Sequence, residues 1–370
     1  MSPRRFLFAG GGTGGHIYPA IAVAEQIKRL DAGARIEFFC SGREIDSKIL
    51  SNAGYEFTPL AARGFSLRPR ALIEFVKGFR ESSRIASQAI STGEKPVVVG
   101  VGGYVAAPVC WAAHRLKAPL KLVNVDIVPG RANRLIGRWA DEIFVQFEDT
   151  RAPFAKAGAK VHVVGCPLRS GFENPQPARA VEQLGLDTSK KILLITGASS
   201  GSANINDAVC SLLGKLEGFA QTWQIVHLTG TPNFDSAKTK YRDAKIAHKV
   251  LAYHDEMADL LAAADLVIGR SGAVSVAEYA AAGAPGICMP YPYHKDKHQY
   301  LNAGKLVEVG AAVIVDDLPD AVDRSEWLWE QLEELIEDDD MRMQMKSNCE
   351  LVARNDASVT IAQRLLGSRV

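Results

Sequence analysis

A glycine-rich turn near the N-terminus constrains the fold of this chain more than any other segment. The residues Gly10 to His16 stand between an apolar run, Phe6 to Ala9, and a stretch with helical spacing, Tyr18 to Leu30. This order predicts a strand, a tight turn and a helix that opens at Pro19. Glycine permits positive φ and close approach to a ligand, and the free N–H groups of a helix N-terminus attract anions. The segment therefore predicts an α/β fold with an anion-sized turn after its first strand.

Two familiar nucleotide sites fit this turn poorly. Gly10, Gly12 and Gly15 match the G-x-G-x-x-G pattern of dinucleotide-binding proteins, which also needs an acidic residue at the end of the second strand. The second predicted strand, Arg35 to Cys40, ends without that carboxylate, and the lysine of a P-loop is absent from the turn. NAD binding and P-loop ATPase chemistry are thus disfavoured, while a turn whose glycines serve packing alone stays open. His16 is the only titratable side chain of the turn.

Length and cysteine content indicate two domains and reduced thiols. A chain of 370 residues exceeds the size at which one core usually keeps growing. Its six cysteines form no C-x-x-C pair, which is typical of a cytoplasmic protein rather than of a disulfide framework. The apolar run near the N-terminus is too short for a signal peptide or a membrane span.

The near-neutral total charge conceals an asymmetry. Through Gly165 there are 23 Lys and Arg against 14 Asp and Glu, a balance of +9, and the remainder carries −8. A basic half favours an anionic partner, either nucleic acid or an anionic membrane. The alternation of aromatic and basic residues typical of single-strand binders is not evident, so no nucleic-acid partner is predicted. A charge imbalance without function stays open.

Strand-like and helix-like segments alternate along the whole chain, which predicts parallel sheets covered on both faces. The plan restarts at Lys190 to Thr196, an apolar strand followed by the small-residue turn Gly197 to Ser202. We therefore predict two similar Rossmann-like domains that face each other across a cleft, residues 1–165 and 166–350, with residues 351–370 packing back on the first. The later strand candidates are residues 97–99, 121–125, 142–145, 192–196, 224–228, 266–268 and 286–289.

The most specific segment lies in the second half, from Gly269 to Pro285. Ser271 and Gly272 open a helix after a predicted strand, where free N–H groups could hold a diphosphate. Glu278 follows about two turns later, where a carboxylate could accept hydrogen bonds from a ribose diol. A solvated glutamate on an alanine-rich helix is the alternative. His298 and Gln299, after the next predicted strand, are suited to bind sugar hydroxyls.

Taken together, these segments resemble the MurG family of peptidoglycan glycosyltransferases, which have the GT-B fold. The resemblance runs from Phe6 to beyond Asn302 and includes GGGTGGH at residues 10–16, VGVGGY at 99–104 and RSGA at 270–273. It implies an inverting transfer, without metal or cofactor, of N-acetylglucosamine from UDP-N-acetylglucosamine to the 4-hydroxyl of the muramoyl sugar in lipid I. The donor would bind mainly to the second domain.

The resemblance also assigns roles to individual residues. Ser199 and Ser200 lie near the diphosphate, Tyr253 and His254 flank the uracil, Glu278 binds the ribose, and His298 with Gln299 holds the transferred sugar. Arg169 matches the arginine of the family's N-P-x-R motif, although Cys166 replaces the asparagine. The remaining candidate substrate-binding residues are Thr13, Gly14, Gly15, Asn133, Arg270, Ser271 and Gly272.

One departure from the family concerns the acceptor. The family's His-Glu-Gln-Asn is replaced by Val123-Asn124-Val125-Asp126, ahead of the stretch Val128 to Arg134. Because that loop faces the acceptor in the family, donor use is better supported than acceptor identity. A relative that glycosylates another lipid or a natural product, and a nucleotide-sugar binding protein without catalysis, are the alternatives.

Transfer needs a base for the acceptor hydroxyl and stabilisation of the departing diphosphate. His16 is the predicted base because imidazole titrates near neutrality, with Asp126 as second choice and a purely structural imidazole as the alternative. Helix N-termini and loop amides, assisted by Arg270, would stabilise the departing UDP. No D-x-D pair occurs near these motifs, so no metal is predicted.

A lipid-linked acceptor requires contact with a membrane. Residues 63–84 mix cationic and apolar side chains, as a surface-binding segment does. We predict peripheral binding to the anionic cytoplasmic face of the inner membrane, while a helix that packs only on its own sheet is the alternative.

Overall fold

Two parallel sheets form the framework of the protein in a computed structural model that describes residues 4–12, 14–65, 68–198 and 201–367. The first domain comprises the chain up to Ser170 together with the segment from Asn355 onward, and the second runs from Gly171 to Arg354. Each domain has one sheet with helices between successive strands. The predicted α/β class with two Rossmann-like domains is therefore confirmed.

The first domain is built on seven strands, all parallel. They are β1 Arg5–Gly10, β2 Arg35–Ser41, β3 Glu56–Leu60, β4 Val97–Gly102, β5 Leu120–Asn124, β6 Glu142–Val145 and β7 Lys160–Val163. Their order in the sheet is β3-β2-β1-β4-β5-β6-β7. The connecting helices are α1 Gly14–Leu30, α2 Glu44–Asn52, α3 Pro69–Ser91, α4 Gly103–Arg115, α5 Arg131–Ile136 and α6 Arg151–Phe154.

The second domain repeats this plan with six parallel strands in the order β10-β9-β8-β11-β12-β13. They are β8 Lys191–Thr196, β9 Trp223–Leu228, β10 His248–Leu251, β11 Leu266–Gly269, β12 Gly286–Cys288 and β13 Ala312–Ile314. Its helices are α7 Pro177–Leu184, α8 Ala203–Ser211, α9 Leu213–Leu216, α10 Phe234–Lys240, α11 Met257–Ala263, α12 Ala273–Ala282, α13 His298–Val307, α14 Ala321–Glu337 and α15 Asp339–Cys349.

Both sheets reverse their strand order once, between β1 and β4 in the first domain and between β8 and β11 in the second. Ligands of open α/β sheets bind beyond the carboxyl ends of the strands at such a reversal. In each domain the reversal therefore marks the expected place of a site. The glycine turns after β1 and β8 lie there, beside the turns after β4 and β11.

The first helix begins earlier than the sequence predicts. Helix α1 starts at Gly14 rather than at Pro19, so His16 belongs to its first turn and Pro19 lies inside the helix. Because proline has no N–H, residue 19 cannot donate the usual helical hydrogen bond to the carbonyl oxygen of Gly15. The prediction was wrong because it treated the proline as the first helical residue, although glycines also extend the helix toward β1.

Helix α16, Ala357–Leu365, belongs to the first domain and packs against α1. Its buried side chains include Ile361 and Ala362. Among the helices of the described ranges, none has the length and apolar content needed to cross a membrane.

Candidate active site

Two glycine turns meet backbone to backbone in the first domain. Gly103 has a φ of +77°, and a Cβ atom there would lie 2.3 Å from the carbonyl oxygen of Gly11. Gly102 has a φ of +130°, and a Cβ atom there would lie 2.8 Å from Nε2 of His16. Glycine is required at both positions because the turn after β4 presses against the turn after β1. The imidazole of His16 is thereby held against the backbone of the neighbouring turn.

The surroundings of His16 favour its neutral form. Burial is the largest influence and lowers its pKa, while the charge of Asp126, a hydrogen bond with the backbone of Gly11 and the charge of Asp46 act in the opposite direction. The net effect is a pKa below the ordinary value of 6.5. The ring is therefore neutral at neutral pH and able to accept a proton.

Asn124 organises the polar residues that follow β5. Its Oδ1 accepts a hydrogen bond of 2.8 Å from Nδ2 of Asn133, and its Nδ2 donates over 2.7 Å to the carbonyl oxygen of Asp126. Asn124 and Asn133 are buried, and Oδ1 of Asn133 has no hydrogen-bond partner among the residues that the structure describes. Asn124, Asp126 and Asn133 thus form an ordered polar cluster, and the charge of Asp126 acts on His16.

The other candidates of the first domain lie along α1 and at the domain's end. Gly14 and Gly15 are the first two residues of α1, and Thr13 lies outside the described residues. Arg169 places its guanidinium carbon 4.4 Å from the ring centroid of Tyr18. That cation–π contact fixes the arginine of the predicted N-P-x-R motif against α1.

In the second domain, the turn after β8 has unusual backbone geometry. Ala198 has a φ of +60° and Gly201 one of +72°, and the Gly201 N–H donates to the Ala198 carbonyl oxygen over 3.0 Å. Ser202 then caps α8 by accepting a hydrogen bond from the N–H of Ile205. Ser199 and Ser200 lie outside the described residues.

The segment after β10 carries Tyr253 and His254. The carbonyl oxygens of Leu251 and Ala252 accept hydrogen bonds from the N–H groups of Thr229 and Gly230, at 2.9 and 3.1 Å. These bonds extend the pairing of β9 with β10 beyond the strands. The ring of Tyr253 is exposed, and burial lowers the pKa of the half-buried His254.

The turn after β11 is tied to the rest of the second domain by Arg270. Its guanidinium donates over 2.8 Å to the carbonyl oxygen of Met289, over 2.7 Å to Oγ of Ser202 and over 2.7 Å to Oδ2 of Asp317. Arg270 is only 9% exposed. These contacts connect the turns after β8, β11, β12 and β13.

Ser271, Gly272 and Glu278 follow from this turn. Gly272 is the residue before the first turn of α12, and Glu278 lies half-buried in its second turn. Oγ of Ser271 donates over 3.0 Å to the carbonyl oxygen of Gln299, at the start of α13. The N-termini of α12 and α13 are therefore linked by Ser271.

His298 and Gln299 are held by their own surroundings. Oε1 of Gln299 accepts a hydrogen bond of 2.9 Å from the N–H of Tyr291, and Nδ1 of His298 lies 2.7 Å from Oδ1 of Asp296. Burial alone would raise the pKa of Asp296, but the interaction with His298 outweighs it and the pKa is lowered. Since Nδ1 of His298 is engaged, Nε2 is the ring atom suited to a sugar hydroxyl.

Several residues that shape these sites are absent from the sequence prediction. They are Ser41, Arg43 and Asp46 beside the first glycine turn, and Asn204, Asp317 and Arg324 around Arg270. No sequence signal pointed to Asp317, because β13, the strand that it follows, is itself missing from the prediction. Among the described residues, no group of three or more His, Cys, Asp and Glu is arranged to hold a metal ion.

Two Rossmann-like domains, each with polar turns at the point of strand reversal, are the architecture of the GT-B fold. Residues 6–145 match the glycosyltransferase family 28 N-terminal domain, and residues 192–361 match the family 28 C-terminal domain. The chain belongs to glycosyltransferase family 28. This membership, together with the names of curated relatives, confirms the resemblance to the MurG family.

Curated relatives extend along nearly the whole chain. Proteins from Caldanaerobacter subterraneus subsp. tengcongensis and Caldicellulosiruptor saccharolyticus are 32% and 35% identical. The matches cover 97% and 96% of this chain, and 98% and 96% of the relatives. Both relatives are named UDP-N-acetylglucosamine--N-acetylmuramyl-(pentapeptide) pyrophosphoryl-undecaprenol N-acetylglucosamine transferase. The crystal structure of Acinetobacter baumannii MurG is 23% identical in sequence and superposes with a TM-score of 0.71. The match covers 99% of this chain and 100% of that one.

Proposed function

We propose that this enzyme transfers N-acetylglucosamine from UDP-N-acetylglucosamine to the 4-hydroxyl of the muramoyl sugar of lipid I, with inversion and without a metal ion. The curated relatives are named for this transfer. The proposal adds the inverted configuration of the product and the absence of a metal ion. The observation that carries the proposal is the second domain's set of turns, in which Ser271 links the starts of α12 and α13 and Arg270 ties the turn before α12 to Ser202 and Asp317.

The donor binds to the second domain in this proposal. The diphosphate contacts the turn after β8 and the N–H groups at the start of α12. The uracil is recognised by the backbone at Tyr253 and His254. The ribose hydroxyls donate to Glu278, because a carboxylate accepts two hydrogen bonds from a diol.

His298 and Gln299 orient the transferred sugar, and Arg270 holds the surrounding turns in place. Nε2 of His298 and the side-chain amide of Gln299 contact its hydroxyls. Arg270 is a positioning residue here, since Met289, Ser202 and Asp317 engage its guanidinium. It acts on the departing diphosphate through the turns that it connects.

The first domain supplies the base. Neutral His16 accepts the proton of the acceptor hydroxyl while that oxygen forms a bond to C1 of the sugar and the bond from C1 to the UDP oxygen breaks. The products are the glycoside, UDP and protonated His16. The negative charge of Asp126 stabilises the imidazolium as it forms. In this proposal Gly14, Gly15 and Asn133 contact the acceptor.

A transfer assay tests this reaction. Purified enzyme is incubated with UDP-N-acetylglucosamine and lipid I, with and without EDTA, and the anomeric configuration of the product is read by NMR. We expect a β-linked product, released UDP and no effect of the chelator. Retention of configuration or loss of activity in EDTA would refute the proposed mechanism.

The acceptor is tested in the same assay, because the segment Val123 to Asp126 departs from the family. Other polyprenyl-linked or free muramoyl acceptors are supplied in place of lipid I. Turnover with such an acceptor and none with lipid I would reassign the substrate, and donor binding without any turnover would indicate a nucleotide-sugar binding protein.

We also propose that the start of α3 binds the anionic cytoplasmic face of the membrane. Phe65, Leu72, Ile73 and Val76 are exposed there, Ile73 by 56%. The exposed cations around them are Arg63, Arg68, Arg70, Lys77, Arg80 and Arg84. The buried stripe of this helix is confined to its later turns, at Gly78, Ser82, Ala86 and Ile90. An apolar patch within a basic rim suits an anionic bilayer surface.

Vesicle sedimentation tests this contact. Phosphatidylglycerol vesicles should retain the protein, phosphatidylcholine vesicles should retain much less, and Ile73→Ser should weaken retention. Val322→Ser is the matched control, since Val322 is 62% exposed in the second domain. Equal retention of both variants would refute a role for the α3 surface.

A further inference from the structure

The carboxylate of Asp46 is buried beside the first glycine turn, and the proposed reaction leaves it without a role. Asp46 is the third residue of α2, and its Oδ2 accepts three hydrogen bonds. The donors are the N–H of Gly12 at 2.8 Å, the N–H of Ser41 at 3.2 Å and Oγ of Ser41 at 2.6 Å. Hydrogen bonds of this kind are what keep an ionised carboxylate in a buried position.

The peptide at Gly12 is fixed from both sides. Its N–H donates to Asp46, and its carbonyl oxygen accepts a hydrogen bond of 2.6 Å from Nη1 of Arg43. A Cβ atom on Gly11 would lie 2.6 Å from Oδ2 of Asp46. The turn is therefore folded around the carboxylate, in the way that glycine turns of other α/β proteins fold around a bound phosphate.

The same turn holds His16. The imidazole interacts with the backbone of Gly11, and the charges that face it come from Asp126 after β5 and from Asp46 on α2. On another side the ring lies against the backbone of Gly102, and the side-chain amide of Asn133 faces the same glycine. A path of direct contacts thus leads from Asp46 through the turn to the ring of His16.

We propose that Asp46 is a positioning residue for the base: its carboxylate is the built-in anion of the first glycine turn, fixes Gly11 and Gly12, and through them sets the place of His16. This inference rests on the proposed function, in which His16 is the base.

The test compares Asp46→Asn with Glu44→Gln, which removes the same charge from an exposed position in the same helical turn. Steady-state kinetics are measured across pH, and the His16 imidazole is titrated by NMR. Asp46→Asn should lower kcat by about 100-fold, the effect of a small misplacement of a reacting group, with donor KM unchanged. The titration midpoint of His16 should move to lower pH, because a charge that favours the imidazolium is lost. Glu44→Gln should match the wild type in both.

Wild-type kcat and an unshifted His16 titration in folded Asp46→Asn would overturn the inference. If that variant does not fold, Ser41→Ala replaces it, because it removes one hydrogen bond and keeps the charge. Ser41→Ala should lower kcat by a few-fold without changing donor KM, and a wild-type kcat there would equally overturn the inference. An inactive wild-type enzyme would refute the proposed function, while the NMR titration of His16 would still test the link to Asp46.

Discussion

Arg270 and Asp317 form a buried ion pair in the second domain, with Nη2 of the arginine 2.7 Å from Oδ2 of the carboxylate. The other oxygen, Oδ1, lies 2.9 Å from Nε of Arg324 and accepts a hydrogen bond of 2.7 Å from Nδ2 of Asn204. A single side chain thus joins the turn before α12 to the beginnings of α8 and α14. The geometry of the proposed diphosphate site depends on this carboxylate.

Replacing Asp317 with alanine should destabilise the second domain and weaken donor binding. The substitution leaves two buried guanidinium groups without their shared partner, and breaking a buried pair in this way costs about 3–5 kcal/mol. Urea denaturation should show that loss, and donor KM should rise because the turn at Arg270 is no longer held. Glu326→Gln, on the exposed side of α14, is the control. Equal stability of the two variants would contradict the role assigned to Asp317.

Glu278→Ala should raise donor KM by about 10- to 100-fold, the range expected when hydrogen bonds to a charged group are lost. The decrease in kcat should be smaller, because the ribose lies away from the reacting carbon. Initial rates at varied UDP-N-acetylglucosamine concentration measure both constants, with the exposed Glu330→Ala as control. Donor kinetics that match the control would reject the ribose role and leave Glu278 a solvated residue.

The sequence predicts the inner strands of both sheets and misses the edges. Buried strands such as β4 and β8 are continuous apolar runs, because helices cover both of their faces. The four strands missing from the prediction are β3, β7, β10 and β13, which are the outermost strands of the two sheets. They are three to five residues long, and β3 and β10 mix polar with apolar residues instead of forming a continuous apolar run. Pattern alone does not distinguish such segments from loops.

The site residues likewise fall into two groups: those that a local sequence motif reveals and those that only the tertiary structure reveals. His16, Ser271 and Glu278 are recognisable because the turn and helix that carry them are contiguous in sequence. Asp46 and Asp317 act through contacts with residues 34 and 47 positions away, Gly12 and Arg270. The order of the strands in each sheet decides which residues these two carboxylates meet. No short sequence motif specifies that order.

His16→Asn should lower kcat by about 100-fold or more, within the usual contribution of a positioned base, while UDP binding persists. Because burial lowers the pKa of His16, the neutral base persists below pH 6.5, and wild-type kcat/KM should decline only at lower pH. Asp126→Asn removes a charge that raises this pKa, so its acid limb should move further down. Rate profiles and calorimetric titration with UDP measure these effects. A larger loss in Asp126→Asn than in His16→Asn would make Asp126 the base.

His227 should make the second domain sensitive to acid. Its ring is fully buried between the hydroxyl of Tyr241 and Oδ1 of Asn206, each 3.0 Å from a ring nitrogen, and burial lowers its pKa from 6.5 to about 3. Between these two values the unfolded chain binds a proton that the folded domain excludes. The contribution of His227 to the unfolding free energy is therefore fully present above pH 6.5 and falls by about 1.4 kcal/mol per pH unit as the pH decreases toward 3.

His227→Gln keeps hydrogen-bonding groups and does not titrate, so its unfolding free energy should depend less steeply on pH than that of the wild type. Parallel slopes in urea denaturation at pH 7, 5.5 and 4.5 would show that His227 is not the group responsible.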